Sequence, residues 1–400
     1  ESGSQDLGVK KGFIMNNEKQ RRGQGSIIKR GNRYSIVLQL GRDPKTDKRT
    51  RMWESGFHTK RDAEKRIGEL LHQMNSGLNV NPSRNTVGEF LVDWLDNYVS
   101  TRVRARTLEG YRQRAKHIIG EIGNIPLADL RANHIAKYYT DKSGPLSPGT
   151  LIKHHNLIRD CLSHAVKWDL IMRNVAEAVE PPRVRKKEMR AFSVPEIHRF
   201  LSTCPQGPWH TMFHTLIWTG LRRSELLGLR WSDLDLDVAS LQVRQSLVRL
   251  QDGTYVFEEP KTFKGLRTLD LAPSTCLSLR IHRENQQHDA GLLGIPLSEA
   301  NLVFGHPDGS PRTPSTVTQQ FRRIAKRAGF SDIRLHDLRH THASLLLQQG
   351  TDMKTISTRL GHASIAFTMD TYAHLLPGMQ KSAMEKFESA LTNEIQLSAV

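Results

Sequence analysis

Apolar residues recur every three or four positions through most of the 400-residue chain, and alternate with polar ones only near its start and its middle. The first alternating stretch is Ser35-Ile36-Val37-Leu38-Gln39-Leu40, strand-like by its β-branched content. The polar run 43–48 (DPKTDK) makes a turn, and a further strand covers Arg49 to Trp53. Thr59 then opens a helix ending near Asn75. The pattern predicts a three-stranded sheet with one helix, rich in Lys and Arg.

After a linker at 79–83, Thr86 and Glu89 have the spacing of a capping box. Val87, Phe90, Leu91, Trp94, Leu95 and Tyr98 follow at helical spacing. A second helix is expected over 107–119, and a turn at 127–130 leads with Ile135 into a third. A fourth starts at Ser147, runs to Trp168, and turns Ile152, Leu157, Ile158, Cys161, Leu162 and Ala165 inward. These helices make a bundle. Pro181-Pro182 then stops a helix, and the basic run 183–187 makes an extended cationic linker.

Ser193 and Glu196 repeat the capping-box spacing, with Ile197, Phe200 and Leu201 on the buried face. The remainder is mainly helical apart from strand-like runs at 241–243 and 255–257, flanking a turn at 251–253, and at 267–271 after Lys264-Gly265. The fold class expected is multidomain and mainly α: a small N-terminal three-stranded sheet plus helix, a helical bundle, and a larger helical domain with a small antiparallel sheet. Its boundaries are a disordered tail at 1–20, the sheet module at 21–78, the bundle at 84–180, the linker at 181–190, the large domain at 191–385 and a tail at 386–400.

Charge changes the picture. The formal net charge of +17 points to a polyanionic partner, with nucleic acid first. Strands can lie in a major groove, so Arg33, Arg49 and Arg51 are candidate DNA contacts on the sheet. On the bundle, Arg102, Arg104, Arg106, Arg112, Arg114 and Lys116 crowd the second helix. Of these, Arg104, Arg106 and Arg112, with Lys153 on the fourth helix, are the candidate phosphate contacts. Cys161, Cys204 and Cys276 are far apart and form neither a zinc pattern nor a disulfide framework, so no metal is expected and a reducing compartment is. No apolar run reaches the ~20 residues of a membrane span, and the polar start has no signal core, so a cytoplasmic setting with no membrane partner is expected.

Metal-free cleavage of a phosphodiester needs a nucleophile, cations for the non-bridging oxygens and an acid for the leaving alkoxide. Arginine suits the second role because its planar fork grips two oxygens at once. Four segments in order carry such groups: TGLRRSELLGLRWSDLD (219–235), PKTFKGLRTLDL (260–271), LHDLRHTHASLLLQQG (335–350) and LGHASIAFTMDTYAHL (360–375). Together they resemble the catalytic boxes of the tyrosine recombinases, the phage and conjugative-transposon integrases, and the upstream layout resembles that family's arm-binding and core-binding domains.

The resemblance implies that Arg222 and Arg339 clamp the scissile phosphate and that His336 helps deprotonate the nucleophile, Tyr372. Lys261 is implied as general acid, with Lys264 as its rival, and His362 as a hydrogen-bond donor to the phosphate. Glu225 matches a position that braces the first arginine. It further implies strand cleavage through a 3′-phosphotyrosyl bond without cofactor, and a homotetramer on double-stranded DNA acting through a Holliday junction to integrate or excise a mobile element. A directionality factor and a host DNA-bending protein are possible helpers. The two larger domains would clamp the duplex, with 181–190 crossing it. The tail after Tyr372, with Met384, Phe387 and Leu391, would couple subunits.

Three rivals stand beside this reading. His336 and His340 are spaced as in a zinc-protease helix, but Asp337 replaces the required glutamate. A type IB topoisomerase uses a similar set of side chains, and a non-catalytic relative would only bind DNA. His340 and His342 are taken as ordinary polar or core histidines.

Overall fold

The computed structural model describes residues 25–42, 49–75, 85–184, 189–260, 265–362 and 364–372, together with Met384, Phe387 and Glu388. The chain divides into two compact units, 1–184 and 185–400. Among the described residues no helix is long and apolar enough to cross a membrane.

The first unit begins with an antiparallel sheet of β1 (Ser26–Arg30), β2 (Arg33–Arg42) and β3 (Arg49–Phe57), followed by α1 (Lys60–Asn75). Thr59 caps α1, its hydroxyl accepting the Asp62 N–H at 3.1 Å. Alternation along β2 puts Ile36 and Leu38 against Ala63 and Leu70 of α1, which form a small separate core. The opposite face carries Arg30, Arg33, Arg51 and Trp53. The register sets Arg30 opposite Arg33 and Gln39 opposite Arg51, and the Arg30 guanidinium lies over the Trp53 ring. The turn expected at 43–48, the linker at 79–83 and the tail at 1–20 lie outside the described residues.

The bundle starts as expected: Thr86 Oγ1 accepts the Glu89 N–H at 3.2 Å, while the Glu89 carboxylate accepts the Thr86 N–H at 2.8 Å. The first helix, α2 (Val87–Asp93), runs on into a π turn (Trp94–Val99). Then come α3 (Ala105–Ile122), longer than the 107–119 expected, α4 (Ala132–Lys142) and α5 (Pro148–Lys167). Arg102 and Arg104 precede α3 and do not lie on it. Ile152 is only half-buried, and α5 instead buries His154 and His155, whose Nδ1 atoms bond the Tyr138 and Tyr139 hydroxyls at 2.6 and 2.9 Å. Burial holds the His154 pKa at about 4 and lowers that of His155.

The second unit opens with α6 (Val194–Thr203), capped by Ser193 and Glu196, followed by α7 (Pro208–Thr219) and α8 (Arg223–Leu227). Two small sheets follow where one was expected. In the first, β4 (Leu234–Asp235), β5 (Ser240–Val243) and β8 (Arg267–Asp270) pair in that order. In the second, β6 (Ser246–Arg249) pairs with β7 (Tyr255–Glu258). The turn near 251–253 therefore joins β6 to β7, while the 241–243 run partners β8. The unit continues with α9 (Pro273–Leu292), α10 (Pro314–Arg327), α11 (Asp337–Gln348), α12 (Met353–Leu360) and α13 (Ile365–Tyr372). Its main core gathers Phe200, Phe213 and Phe321 from α6, α7 and α10. A smaller one joins Ala343, Leu347, Ile356 and Leu360 to Tyr372.

Because both halves of the α2 box are formed, Thr86→Ala is expected to destabilise the first unit by about 1 kcal/mol. Urea unfolding followed by bundle tryptophan fluorescence measures it, and an unchanged midpoint would show that the cap contributes nothing.

Candidate active site

Two left-handed glycines organise the site. Gly220 ends α7 at φ +66° and Gly361 ends α12 at φ +65°, a conformation that glycine adopts without a Cβ penalty. Arg339, in the first turn of α11, is buried and donates Nη1–H to the Gly220 carbonyl at 2.8 Å and Nη2–H to the Leu360 carbonyl. Arg222, the residue before α8, donates Nη2–H to the Gly361 carbonyl at 3.3 Å and Nη1–H to Glu225 Oε1 at 2.6 Å. Both guanidiniums thus meet at the end of α12. A Cβ on Gly220 would lie 2.6 Å from the His342 ring, so the glycine is needed for space as well as for φ.

Glu225, almost fully buried, also accepts from Arg222's own backbone N–H at 2.9 Å and from Arg267 Nη2 at 2.9 Å. Arg267, on β8, donates Nε–H to the Arg359 carbonyl at 2.7 Å. Burial opposes ionisation of Glu225, but its hydrogen bond with Arg267 and the two arginine charges hold its pKa down at about 2. Two guanidiniums therefore share one carboxylate, and the third, Arg339, feels its charge without bonding it. Burial, then the Arg222 charge, pushes Arg339 down to about 9, leaving it charged at neutral pH but poorly compensated. An anion between Arg222 and Arg339 would relieve that imbalance, and a phosphate diester fits a pair of planar forks.

The histidines and the tyrosine close around this cation cluster. His362 directly follows Gly361; its Nδ1 bonds Thr368 Oγ1 at 2.8 Å, and burial followed by the Arg339, Arg222 and Arg267 charges lowers its pKa to about 3. His336 stays open to solvent as the residue before α11. The protein packed around it, then the Arg339 charge, lower its pKa. Tyr372, at 1% exposure, ends α13 with its hydroxyl 2.8 Å from His340 Nδ1. Burial raises the phenol to about 12, while Arg339 pulls it down.

The structure thus gathers Arg222, Arg339, His336, His362 and Tyr372 in one place. Lys261 and Lys264 lie outside the described residues, between β7 and β8. Arg223 points away: its Nη1 donates to Thr318 Oγ1 at 2.6 Å and holds α8 to α10. His342 is the core residue expected, with Nδ1 on the Ile217 carbonyl at 2.9 Å and Arg359 Nε donating to its Nε2 at 3.1 Å. His340 is not ordinary. It holds the tyrosine hydroxyl, a contact its sequence position one helical turn after His336 hinted at. Arg267 was also passed over, although it stands two residues after the glycine of the 260–271 segment.

The DNA candidates divide as well. Arg33 and Arg51 share the outer sheet face, and Arg49 is placed by its backbone in β3. In the bundle Arg106 pairs with Glu109 at 3.0 Å and Arg112 with Asp96 at 2.8 Å, while Arg104 is the residue before α3. Lys153 lines a groove of about 240 Å³ between α3 and α5 with Tyr111, Arg114, Asn156 and Arg159. On the tail, Met384 and Phe387 are exposed in the single chain, and Leu391 lies outside the described residues.

Comparison with known proteins identifies the family and the fold. Residues 187–378 match the phage integrase family, and residues 86–143 match the phage integrase N-terminal SAM-like domain. A tyrosine recombinase XerC-like protein of Caldanaerobacter subterraneus is 27% identical over 384 residues, covering 90% of this chain and 97% of the relative. The integrase of the Tn1549 transposon, solved in complex with a circular intermediate DNA, superposes with a TM-score of 0.66 at 21% identity, over 76% of this chain and 99% of that one. A lambda integrase tetramer bound to a Holliday junction shares the fold at a TM-score of 0.54 and 18% identity, over 88% and 96% of the two chains. The chain belongs to the phage integrase family and is a tyrosine-type site-specific DNA recombinase.

Proposed function

We propose that Tyr372 attacks a DNA phosphate held between Arg222 and Arg339, forming a 3′-phosphotyrosyl bond and releasing a 5′ hydroxyl. The observation carrying this is the meeting of the two guanidiniums at the carbonyls closing α12, with Tyr372 packed against the same helix. His362 donates to a non-bridging oxygen, as its buried position beside both arginines allows. His336, at the open start of α11, reaches the same phosphate from the solvent side. Lys261 protonates the leaving oxygen, with Lys264 the alternative. Because the phosphotyrosyl bond keeps the diester's energy, a 5′ hydroxyl from another strand reverses the step without a nucleotide cofactor.

Two sites and four cleavages call for a homotetramer on DNA passing through a Holliday junction, as in the lambda integrase assembly. In this reading the sheet, with Arg33 and Arg51 on its outer face and Arg49 in β3, binds arm-type sites. The bundle, with Arg104, Arg106, Arg112 and Lys153, grips the core-site backbone. A directionality factor and a DNA-bending protein choose between integration and excision.

The test is covalent trapping on nicked duplexes tiled across the ends of the mobile element, in chelator, followed by a denaturing gel. Wild type is expected to yield a protein–DNA adduct on one duplex and Tyr372→Phe none. An adduct from both proteins would assign the wrong tyrosine.

Glu225 gives a second prediction. Glu225→Gln removes the only carboxylate hydrogen-bonded to buried Arg267 among the described residues and is expected to destabilise the domain by about 3 kcal/mol. The folded pKa of about 2 lies below the ordinary 4.5. Its contribution is therefore full above pH 4.5 and is lost as pH falls toward 2. Denaturant midpoints of the two proteins should converge over that range, and a gap that stays constant would rule the ion pair out as its source.

A further inference from the structure

The Tyr372 hydroxyl has a specific partner, and it is not the histidine that the sequence pattern nominates. His340 Nδ1 lies 2.8 Å from Tyr372 Oη, with the two ring centroids 5.7 Å apart. His336, one helical turn earlier, meets the His340 ring edge-on at 5.1 Å, and among the described residues His340 is the phenol's hydrogen-bond partner. Both ends of the contact are held. Tyr372 is fixed by Ala343, Leu347, Ile356 and Leu360, while His340 is half-buried on α11 beside Arg339.

We propose that His340 is a catalytic residue of strand cleavage, aiming the Tyr372 hydroxyl and taking its proton as the phenolic oxygen attacks phosphorus. The inference rests on the reading of Tyr372 as nucleophile. In the step, the Oη–H bond breaks and Nδ1–H forms, giving an imidazolium at His340. The oxygen's electron pair makes the Oη–P bond. The P–O5′ bond breaks with its pair on the 5′ oxygen, which takes a proton from the lysine ammonium assigned above. On rejoining, the imidazolium returns its proton to the departing phenol.

The surroundings explain why the base acts only with DNA in place. His336, Asp337, Arg339 and Arg334 face the ring from α11 and its lead-in, Tyr372 faces it from α13, and His362 lies nearby between α12 and α13. Burial, followed by the His336 and Arg339 charges, keeps the free imidazole neutral with a pKa near 4. In the tautomer that carries the ring proton on Nε2, the hydroxyl donates to Nδ1, and this is the form the step uses. A phosphate seated between Arg222 and Arg339 brings a negative charge that offsets those cations, so the ring gains basicity when the substrate arrives.

The experiment uses the full chain on the duplex that wild type cleaves, with single-turnover adduct formation and DNA binding read in parallel. Asparagine places an amide oxygen near the Nδ1 position, so His340→Asn keeps an acceptor but cannot take a proton. His340→Asn and His340→Ala are both expected to bind DNA normally and to form adduct about 100-fold more slowly, the scale of lost general-base catalysis. A 5′-bridging phosphorothiolate, whose leaving group needs no proton, should rescue Lys261→Ala but neither His340 variant. Adduct formation by His340→Asn within about threefold of wild type overturns the proposal, including the case where only His340→Ala is slow and the contact merely positions.

If neither variant folds, the wild-type pH profile on the phosphorothiolate duplex decides. A single protonation at about pH 4 or above that abolishes cleavage on the acid side supports proton transfer to the ring, and a rate independent of pH between about 3 and 9 overturns it. Absence of adduct from wild type itself would instead defeat the nucleophile reading.

Discussion

The site depends on three carbonyls, set by two helices that end on left-handed glycines. Gly220 and Gly361 turn the chain at the ends of α7 and α12, and the carbonyls of Gly220, Leu360 and Gly361 receive the guanidiniums of Arg339 and Arg222. Carbonyls orient an arginine without neutralising it. A carboxylate in their place would hold the fork just as firmly but would compete with a phosphate for it. Anchoring by backbone thus leaves Arg339 positioned and still electrostatically available, while Arg222 shares Glu225 with Arg267.

The same logic explains why Glu225 is single and shared. It braces Arg222 from the side while its second oxygen is occupied by Arg267, and Arg267 in turn holds the α12 backbone at Arg359. Arg359 continues the chain of contacts to His342, and His342 to the Ile217 carbonyl on α7. The two helices that present the anchoring carbonyls are therefore tied together by a polar network running behind the clamp. Removing one member of such a network leaves a buried charge unpaired, which is why its members act as a unit.

Local signals in the sequence translated well. The boxes Thr86/Glu89 and Ser193/Glu196, the Ser147-Pro148 start of α5 and the alternation of Ile36 and Leu38 all depend on residues within four positions of each other, and each formed as read. The mainly helical class with small antiparallel sheets followed from them. What escaped was non-local. Leu247 and Val248 sit in a four-residue strand too short to show a period, so β6 was missed and one sheet was expected where there are two. His154 and His155 are buried because tyrosines 16 positions earlier accept them, and Arg267 matters because its carboxylate is 42 positions away. His340 was discounted for the same reason: its partner lies 32 residues on. In the site, Arg222, Arg339 and Tyr372 were legible from chemistry and ordered segments, whereas the residues that hold them were legible only from the packing.

Burial of Tyr372 follows from where its helix packs. α13 lays the ring against Leu347 of α11 and against Ile356 and Leu360 of α12, the helix whose end anchors both arginines. Apolar contact thereby fixes the distance between the Tyr372 ring and the paired arginines, and a hydrogen bond to His340 fixes the direction of its hydroxyl. The cost is a phenol with a pKa raised to about 12, far from ionised at neutral pH. In the proposed reaction, a tyrosine held this way cannot be activated in advance by cations alone, because burial outweighs the pull of Arg339. Activation must coincide with arrival of the phosphate, whose charge is what the three arginines lack. On that reading, the arrangement couples deprotonation of the tyrosine to the ligand that completes the charge balance of the site.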